Sequence, residues 1–452
     1  MTALDQDNGY SIECTVIPAD NGYRLEGTFH AFFSINSADN ELDQIESAVE
    51  HIGQQLKRDL CQKTLETADE RCVQFFKTIQ PHWHGNGKPT FTIVTEFGEV
   101  QLCRRRLRDP RTGKTQTPSA LFWKTSQNRH ITRRAAESAC EASQSVSYRK
   151  AAKQLAEKAG QELLLSASTI WNKKQEKGEE LSQKQNAFVQ QVFAKQEVAL
   201  PCGVPSKGAR KIEADTIQLQ MDEVKTKSQE DDKKWNLTYT ATLETADQQC
   251  YYLAAESVER LTQQVAAYFI VLGLYLGKRF EVLSDGASWI GDWVGSITGV
   301  EIEHVLCWYH LRTRIYQSLG ALGLAKEPRK LLEREILGHL WRGETAKAVW
   351  ILWGLRSSAR VPKRIDDLMG YLLRKRHMIV DYEERKQRGL WLSSTRVEKW
   401  NDSVAVRCKR NGMSWTSQGV PAVVVYATEQ KKTAKNRPKR TTKNNEKRHT
   451  TT

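Results

Sequence analysis

The chain has 452 residues, a formal net charge of +14 and a pI near 9.2, enough length for about three domains of roughly 150 residues, each with its own core. The positive surplus favours a polyanionic partner, a property shared by ribosomal and membrane-surface proteins. A membrane span is excluded, because the most apolar segment, 265–276, is about half of the ~20 residues needed. Nine cysteines, scattered singly with no Cys-x-x-Cys pair, read as reduced thiols. The chain opens without the basic-then-apolar run of a secretion signal, so a cytoplasmic protein is expected.

Residues 1–45 alternate apolar and polar positions, as in Arg24-Leu-Glu-Gly-Thr-Phe, and predict a strand or two. From Leu42 to Ile79 apolar residues recur every three or four positions, the spacing of a long helix or helix pair. Phe91–Cys103 predicts a hairpin that bends near Gly98, and Arg104, Arg105 and Arg106 after it are candidates to grip phosphate. Residues 132–177 predict three helices, with Gly160 breaking the second from the third and Ser166 capping the last. Such a trio suggests a helix-turn-helix that displays Ser168, Thr169, Asn172, Lys173 and Lys174 toward DNA. A plain three-helix packing unit with a solvated basic face is the alternative, and the 159–165 connection is longer than the usual three or four residues.

Pro201-Cys-Gly-Val-Pro205 is a linker and marks a domain boundary. Beyond it, 217–224, 236–244 and 250–255 are three β-rich runs, followed by a helix over 258–276, a strand ending at Asp285, a helix, a second strand from Glu303, and helices throughout 311–390. Val420–Tyr426 reads as a strand. The tail 429–452 carries nine lysines and arginines against two glutamates, half of the net charge, with hardly an apolar residue. Disorder is expected there, serving as a solubilising tail or a DNA tether.

Acids inside apolar strands are costly and point to chemistry. Asp222 sits inside the 217–224 run on the face with Gln218, Gln220 and Val224, with Asp215 and Glu223 as rivals. Asp285 closes the apolar run 280–283, at the strand end where ligands gather in sheets of this kind. Glu398 lies in Ser393-Ser-Thr-Arg-Val-Glu-Lys-Trp-Asn401, where helical spacing puts Glu398 and Asn401 on one face and Arg396, Arg407 and Lys409 add positive charge. Three carboxylates from distant positions are what two magnesium ions require. Cys307 and His310, at i and i+3, are assigned a packing and hydrogen-bonding role near the acids, since two ligands alone make no zinc site. The quartet Cys72, His82, His84 and Cys103 has irregular spacing, and no phosphate-binding Gly-x-x-x-x-Gly-Lys loop exists.

The succession Ser284-Asp285-Gly, then Cys307-Trp-Tyr-His310, then Arg396-Val-Glu398 and Gly412-Met-Ser-Trp415, resembles the catalytic core of DDE transposases with a Cys-x-x-His signature, most closely the ISKra-like insertion-sequence family. The resemblance implies an α/β fold, a ribonuclease H-like mixed sheet flanked by helices, with an all-helical insertion and an N-terminal, mainly helical DNA-binding region. It implies Mg²⁺, replaceable by Mn²⁺, on Asp222, Asp285 and Glu398, strand cleavage and 3′-OH strand transfer without a nucleotide cofactor, and terminal inverted repeats and target DNA as partners of a homo-oligomer. The expected division is a strand and helix region (1–125), helix-turn-helix-like helices (126–200), the first part of the core (206–310), the insertion (311–390), the last part of the core (391–428) and the tail (429–452). After Trp415 the family continues as a helix where this chain reads as a strand, so a catalytically inactive, transposase-derived DNA-binding protein is the alternative. A nuclease without strand transfer is a third reading.

Overall fold

The computed structural model describes residues 8–20, 22–33, 40–124, 129–199, 201–205, 216–232, 234–274, 277–320, 323–409 and 414–436 of a mixed α/β protein. Asp215, Gly412 and Met413 lie outside the described residues, as does 437–452 of the basic tail. The chain divides into two compact units, 1–174 and 175–452. The division falls inside a helix rather than at the 201–205 linker. Among the described residues no helix is long and apolar enough to cross a membrane.

In the first unit, strands β1 (Asn8–Ala19) and β2 (Gly22–Phe33) form an antiparallel hairpin, followed by a single 39-residue helix α1 (Glu41–Ile79). A second hairpin, β3 (Thr90–Thr95) and β4 (Gly98–Cys103), is extended by β5 (Arg129–Ile131) parallel to β3. Gly98 sits at φ 128°, and a Cβ there would lie 2.7 Å from Cδ of Arg58, so only glycine closes this bend without displacement.

Helices α2 (Arg133–Ala142), α3 (Tyr148–Ala159) and α4 (Ala167–Phe193) follow. Thr132, Ser147 and Ser166 cap them by accepting from the backbone N–H three residues on, and Gly160 ends α3 in the left-handed conformation. Ala135, Ala139, Ala151, Leu155 and Ile170 form their shared core with Val94 of β3.

The second unit is built on a seven-stranded mixed sheet. Its strands are β6 (Val204–Pro205), β7 (Thr216–Ser228), β8 (Trp235–Glu244), β9 (Gln249–Ala255), β10 (Arg279–Ser284), β11 (Glu301–Leu306) and β12 (Ser414–Trp415). The spatial order is β11-β10-β7-β8-β9-β6, with β7, β8 and β9 antiparallel in sequence and β10 and β11 parallel to β7. On the β10 side, β7 is paired over 216–220 by β10 and at 227–228 by β12. Among the described residues no strand pairs with β7 on this side between those two stretches, where Asp222 lies.

One face of β7, Ile217, Leu219 and Met221, packs against Leu261 and Val265 of α5 (Val258–Val271) and Ile290 of α6 (Ser288–Ser296). The other face is polar and also buried, presenting Gln218 and Gln220. It is covered by α12 (Thr395–Val404) and α13 (Gly419–Asn436), with Trp400 stacked on Tyr252 at 3.5 Å. The segment read as a strand, 420–426, is thus helical. The helix runs on through 429–436, so this part of the tail is ordered instead of disordered. Gly178 admits the crossing of α4 and α13, since a Cβ there would lie 2.5 Å from Cα of Ala422.

Between β11 and α12 stand α7 (Trp308–Gly320), α8 (Lys326–Trp341), α9 (Thr345–Leu355), α10 (Pro362–Lys375) and α11 (Tyr382–Gln387). Leu311, Ile315, Ile336, Leu352 and Leu368 pack together and onto Leu283, Val305 and Leu306 of the sheet. The insert begins and ends at one point: Trp308 N donates to Leu392 O at 2.9 Å, and Tyr382 O–H to Leu306 O at 2.7 Å.

Candidate functional site

The last pair between β7 and β10 is Gln220 opposite Leu283, so Asp222 and Asp285 each lie two residues further along the chain from neighbouring positions on adjacent parallel strands. Neighbouring strands run about 4.8 Å apart and paired residues share a face, which brings the two carboxylates together at the carboxyl end of the sheet. Burial first, and then the charge of Asp285, push the Asp222 carboxyl up to about 6, against hydrogen bonds that favour its charged form. Asp285 is fixed by its own turn, with Oδ1 accepting from Ala287 N at 2.8 Å.

Helix α12 brings the third acid. Its N-terminus is held by strand β7, where Gln220 Oε1 accepts from the N–H groups of Arg396 (3.0 Å) and Val397 (3.3 Å). One turn beyond Glu398, Asn401 Nδ2 donates to Asp222 Oδ2 at 2.8 Å, and Thr240 Oγ1 donates to Asn401 Oδ1 at 2.9 Å to orient the amide. Glu398 Oε1 accepts from Ser394 Oγ at 2.5 Å and lies 3.9 Å from Cys307 Sγ and 3.7 Å from His310 Nδ1. The sulfur beside its ring holds His310 up at about 9, with Glu398 and Asp285 adding to that rise against the opposing effect of burial. Burial raises the Cys307 thiol, but hydrogen bonds with His310 and Ser394 outweigh it and leave the thiol lowered.

Behind the acids runs a buried ion network. Arg385, 3% exposed, binds Glu281 at 3.0 Å, Glu303 at 2.9 Å and the carbonyl of Trp391 at 3.2 Å, and Glu281 also accepts from Gln218 at 3.3 Å. Glu281 is on the strand that ends at Asp285, and Trp391 is on the segment leading to Glu398. The network therefore ties the two acids' supports together.

Several residues assigned to DNA sit elsewhere. Lys174 is wholly buried, its Nζ donating to Cys140 O at 2.9 Å and Gln144 Oε1 at 2.5 Å. Arg104 is buried with its guanidinium 3.2 Å from the Phe91 ring centroid. Arg396 neutralises buried Glu244 at 3.0 Å. These three cations balance the interior, because a buried acid or carbonyl takes the nearest donor. Asn172, Arg105, Arg106 and Lys409 are exposed and Thr169 and Lys173 half-buried, while the Arg407 side chain lies outside the described residues. Glu223, rival to Asp222, pairs with Lys225 at 2.6 Å.

Sequence reasoning passed over Gln220, Ser394, Arg385 and Glu281. Of these only Glu281 carried a signal, an acid inside an apolar strand like Asp222. Among the described residues the His, Cys and acid cluster with mutually close ligand atoms is Cys307, His310 and Glu398. Among the described residues neither the quartet Cys72, His82, His84 and Cys103 nor the three acids Asp222, Asp285 and Glu398 forms such a cluster.

The raised Asp222 carboxyl makes a stability prediction. The unfolded chain releases this proton near 3.8 and the folded chain near 6, so the folded state binds more protons between them and stability falls as pH rises through that window. Buried His304, lowered to about 4 by burial and then by His377 and Lys375, works oppositely, losing stability as pH falls below 6.5. The difference between wild type and Asp222→Asn isolates the first effect. In metal-free buffer the variant is expected to be more stable by about 1–3 kcal/mol at pH 7.5, with the advantage gone at pH 4. Urea denaturation at the two pH values measures it, and an equal difference at both would refute the assignment.

Neither a protein-family model nor a curated protein matches the chain.

Proposed function

We propose that this chain is a metal-dependent DNA strand-transfer enzyme of the DDE transposase class, with Asp222, Asp285 and Glu398 as its acids. The observation that carries the reading is a pair of aspartates at the carboxyl ends of adjacent parallel strands, one of them gripped by Asn401 of the helix that also carries Glu398. The strand order, three antiparallel strands and then two parallel to the first, supports a ribonuclease H-like core. The helix after Trp415 agrees with that family pattern and removes the departure seen in the sequence.

The donor set fits a hard divalent cation. It offers carboxylate oxygens, and a bound cation would offset the burial, and after it the Asp285 charge, that raise Asp222. When bound, Mg²⁺ supplies neutralisation of the charge that develops on the attacking and leaving oxygens of a phosphodiester. The chain's own residues hold the acids in place: Asn401 orients Asp222, the Ala287 N–H orients Asp285, and Ser394 orients Glu398. His310, charged at neutral pH, adds a cation beside them. Exposed Lys409 and Asn172, Arg105 and Arg106 in the first unit offer contacts to a phosphate backbone.

The test is product analysis. The full chain is incubated with Mg²⁺, a target plasmid and a duplex carrying the ends of the DNA element that encodes it. Joined end-to-target products support the reading. Nicking without joining points to a nuclease, and binding without either points to a transposase-derived DNA-binding scaffold.

A further inference from the structure

Cys307 and His310 carry donors that a magnesium site does not use. Magnesium takes oxygen, whereas a thiolate and an imidazole select zinc-like cations. Cys307 stands at the head of α7, His310 lies one turn along it, and Glu398 comes from α12, with all three ligand atoms within 4.8 Å of one another. The separations suit one tetrahedral ion. Zinc bonds of about 2.3 Å to sulfur and 2.0–2.2 Å to nitrogen or oxygen imply ligand separations of about 3.6 Å for S···O and about 3.4 Å for N···O. The S···O and N···O distances here are 3.9 Å and 3.7 Å, so these two pairs each need a closure of about 0.3 Å, and sulfur and nitrogen lie within 4.8 Å of each other.

The groups behind the ligands are also those such a site needs. Ser394 N donates to Cys307 Sγ at 3.4 Å, and Ser394 Oγ to Glu398 Oε1 at 2.5 Å, so one residue orients two ligands. The His310 and Glu398 side chains are 37% and 28% exposed, which gives an ion a way in and leaves a fourth position to solvent.

We propose that Cys307, His310 and Glu398 form a binding site for a single thiophilic divalent cation of the zinc class. Glu398 is shared between this site and the aspartate pair. Occupation by zinc draws the carboxylate toward Cys307 and His310 and competes with its service to magnesium. This consequence, inhibition of strand joining by zinc, rests on the function proposed above; the binding itself does not.

The experiment uses the full chain without DNA. Cobalt(II) is titrated in as a spectroscopic stand-in, and zinc is then added in competition with a chromophoric chelator. One equivalent of cobalt is expected to give a thiolate-to-cobalt charge-transfer band that zinc abolishes. Cys307→Ser should remove the band, and His310→Asn and Glu398→Gln should each weaken zinc by at least about tenfold. Asp285→Asn should leave the band intact. Circular dichroism confirms that each variant is folded, and where one is not, His310→Gln replaces His310→Asn, Cys307→Ala replaces Cys307→Ser and Glu398→Ala replaces Glu398→Gln. The proposal is overturned by absence of the band in folded wild type, or by a band that survives Cys307→Ser and so belongs to another cysteine. A chain that binds zinc as described yet joins no DNA would overturn only the functional reading.

Discussion

Asparagine at position 285 is expected to lower magnesium-dependent strand joining by at least about a hundredfold, because even groups behind metal ligands are worth roughly 10–100-fold. The substitution keeps the shape of the side chain and its acceptor for the Ala287 N–H, so the turn after β10 survives. What disappears is the negative charge facing Asp222. With that repulsion gone, Asp222 ionises more readily, and the variant should be no less stable than wild type. Affinity for end DNA should be unchanged or higher, as one repulsive charge is removed. Strand-joining assays alongside DNA-binding titrations check both. Activity within a few-fold of wild type would remove Asp285 from the chemistry, and parallel loss of binding and joining would mean that folding had failed instead.

Arg385→Met is expected to cost about 3–5 kcal/mol, the cost of stranding a buried charge. Glu281, 1% exposed, would lose its guanidinium partner and retain only Gln218 at 3.3 Å. Much of the loss should be recovered in the double variant Arg385→Met/Glu281→Leu, since an apolar pair of similar volume can replace a buried ion pair. Urea midpoints for the three proteins measure this. A double variant no more stable than the single would show that Arg385 acts mainly through Glu303 and the Trp391 carbonyl.

Element order in the second unit was legible because β7, β8, β9, β10 and β11 differ in apolar pattern from the helices between them. The 420–426 segment misled for a physical reason. Val420, Val423, Val424, Val425 and Tyr426 are all buried, and a helix enclosed on every side shows neither the alternation of a strand nor the stripe of a surface helix. Its β-branched composition then tipped the reading to strand. Asp285 and Glu398 stood out through the residues around them, but the contacts that fix α12 to β7 did not. Asn401 to Asp222 spans 179 positions and Gln220 to Arg396 spans 176, and such pairings leave no trace in local spacing. Lys174 and Arg104 failed similarly, because a long cation reads as solvent-facing until the buried acceptor or ring that holds it is known.

The single point at which the helical insert leaves and rejoins the sheet, Trp308 to Leu392, places an energetic demand on its helices. Closing a loop of that length carries an entropic cost that one hydrogen bond, worth about 1 kcal/mol, does not offset. The insert's own packing, from Leu311 through Leu372 onto Leu283 and Leu306, must therefore hold the closure. Opening of those helices would release Arg385 from Glu281 and Glu303 and loosen the 391–394 segment, while α12 stays tied to β7 through Gln220 and Asn401. The local folding equilibrium of the insert thus governs how firmly Ser394, and the Cys307 and Glu398 groups it contacts, are held.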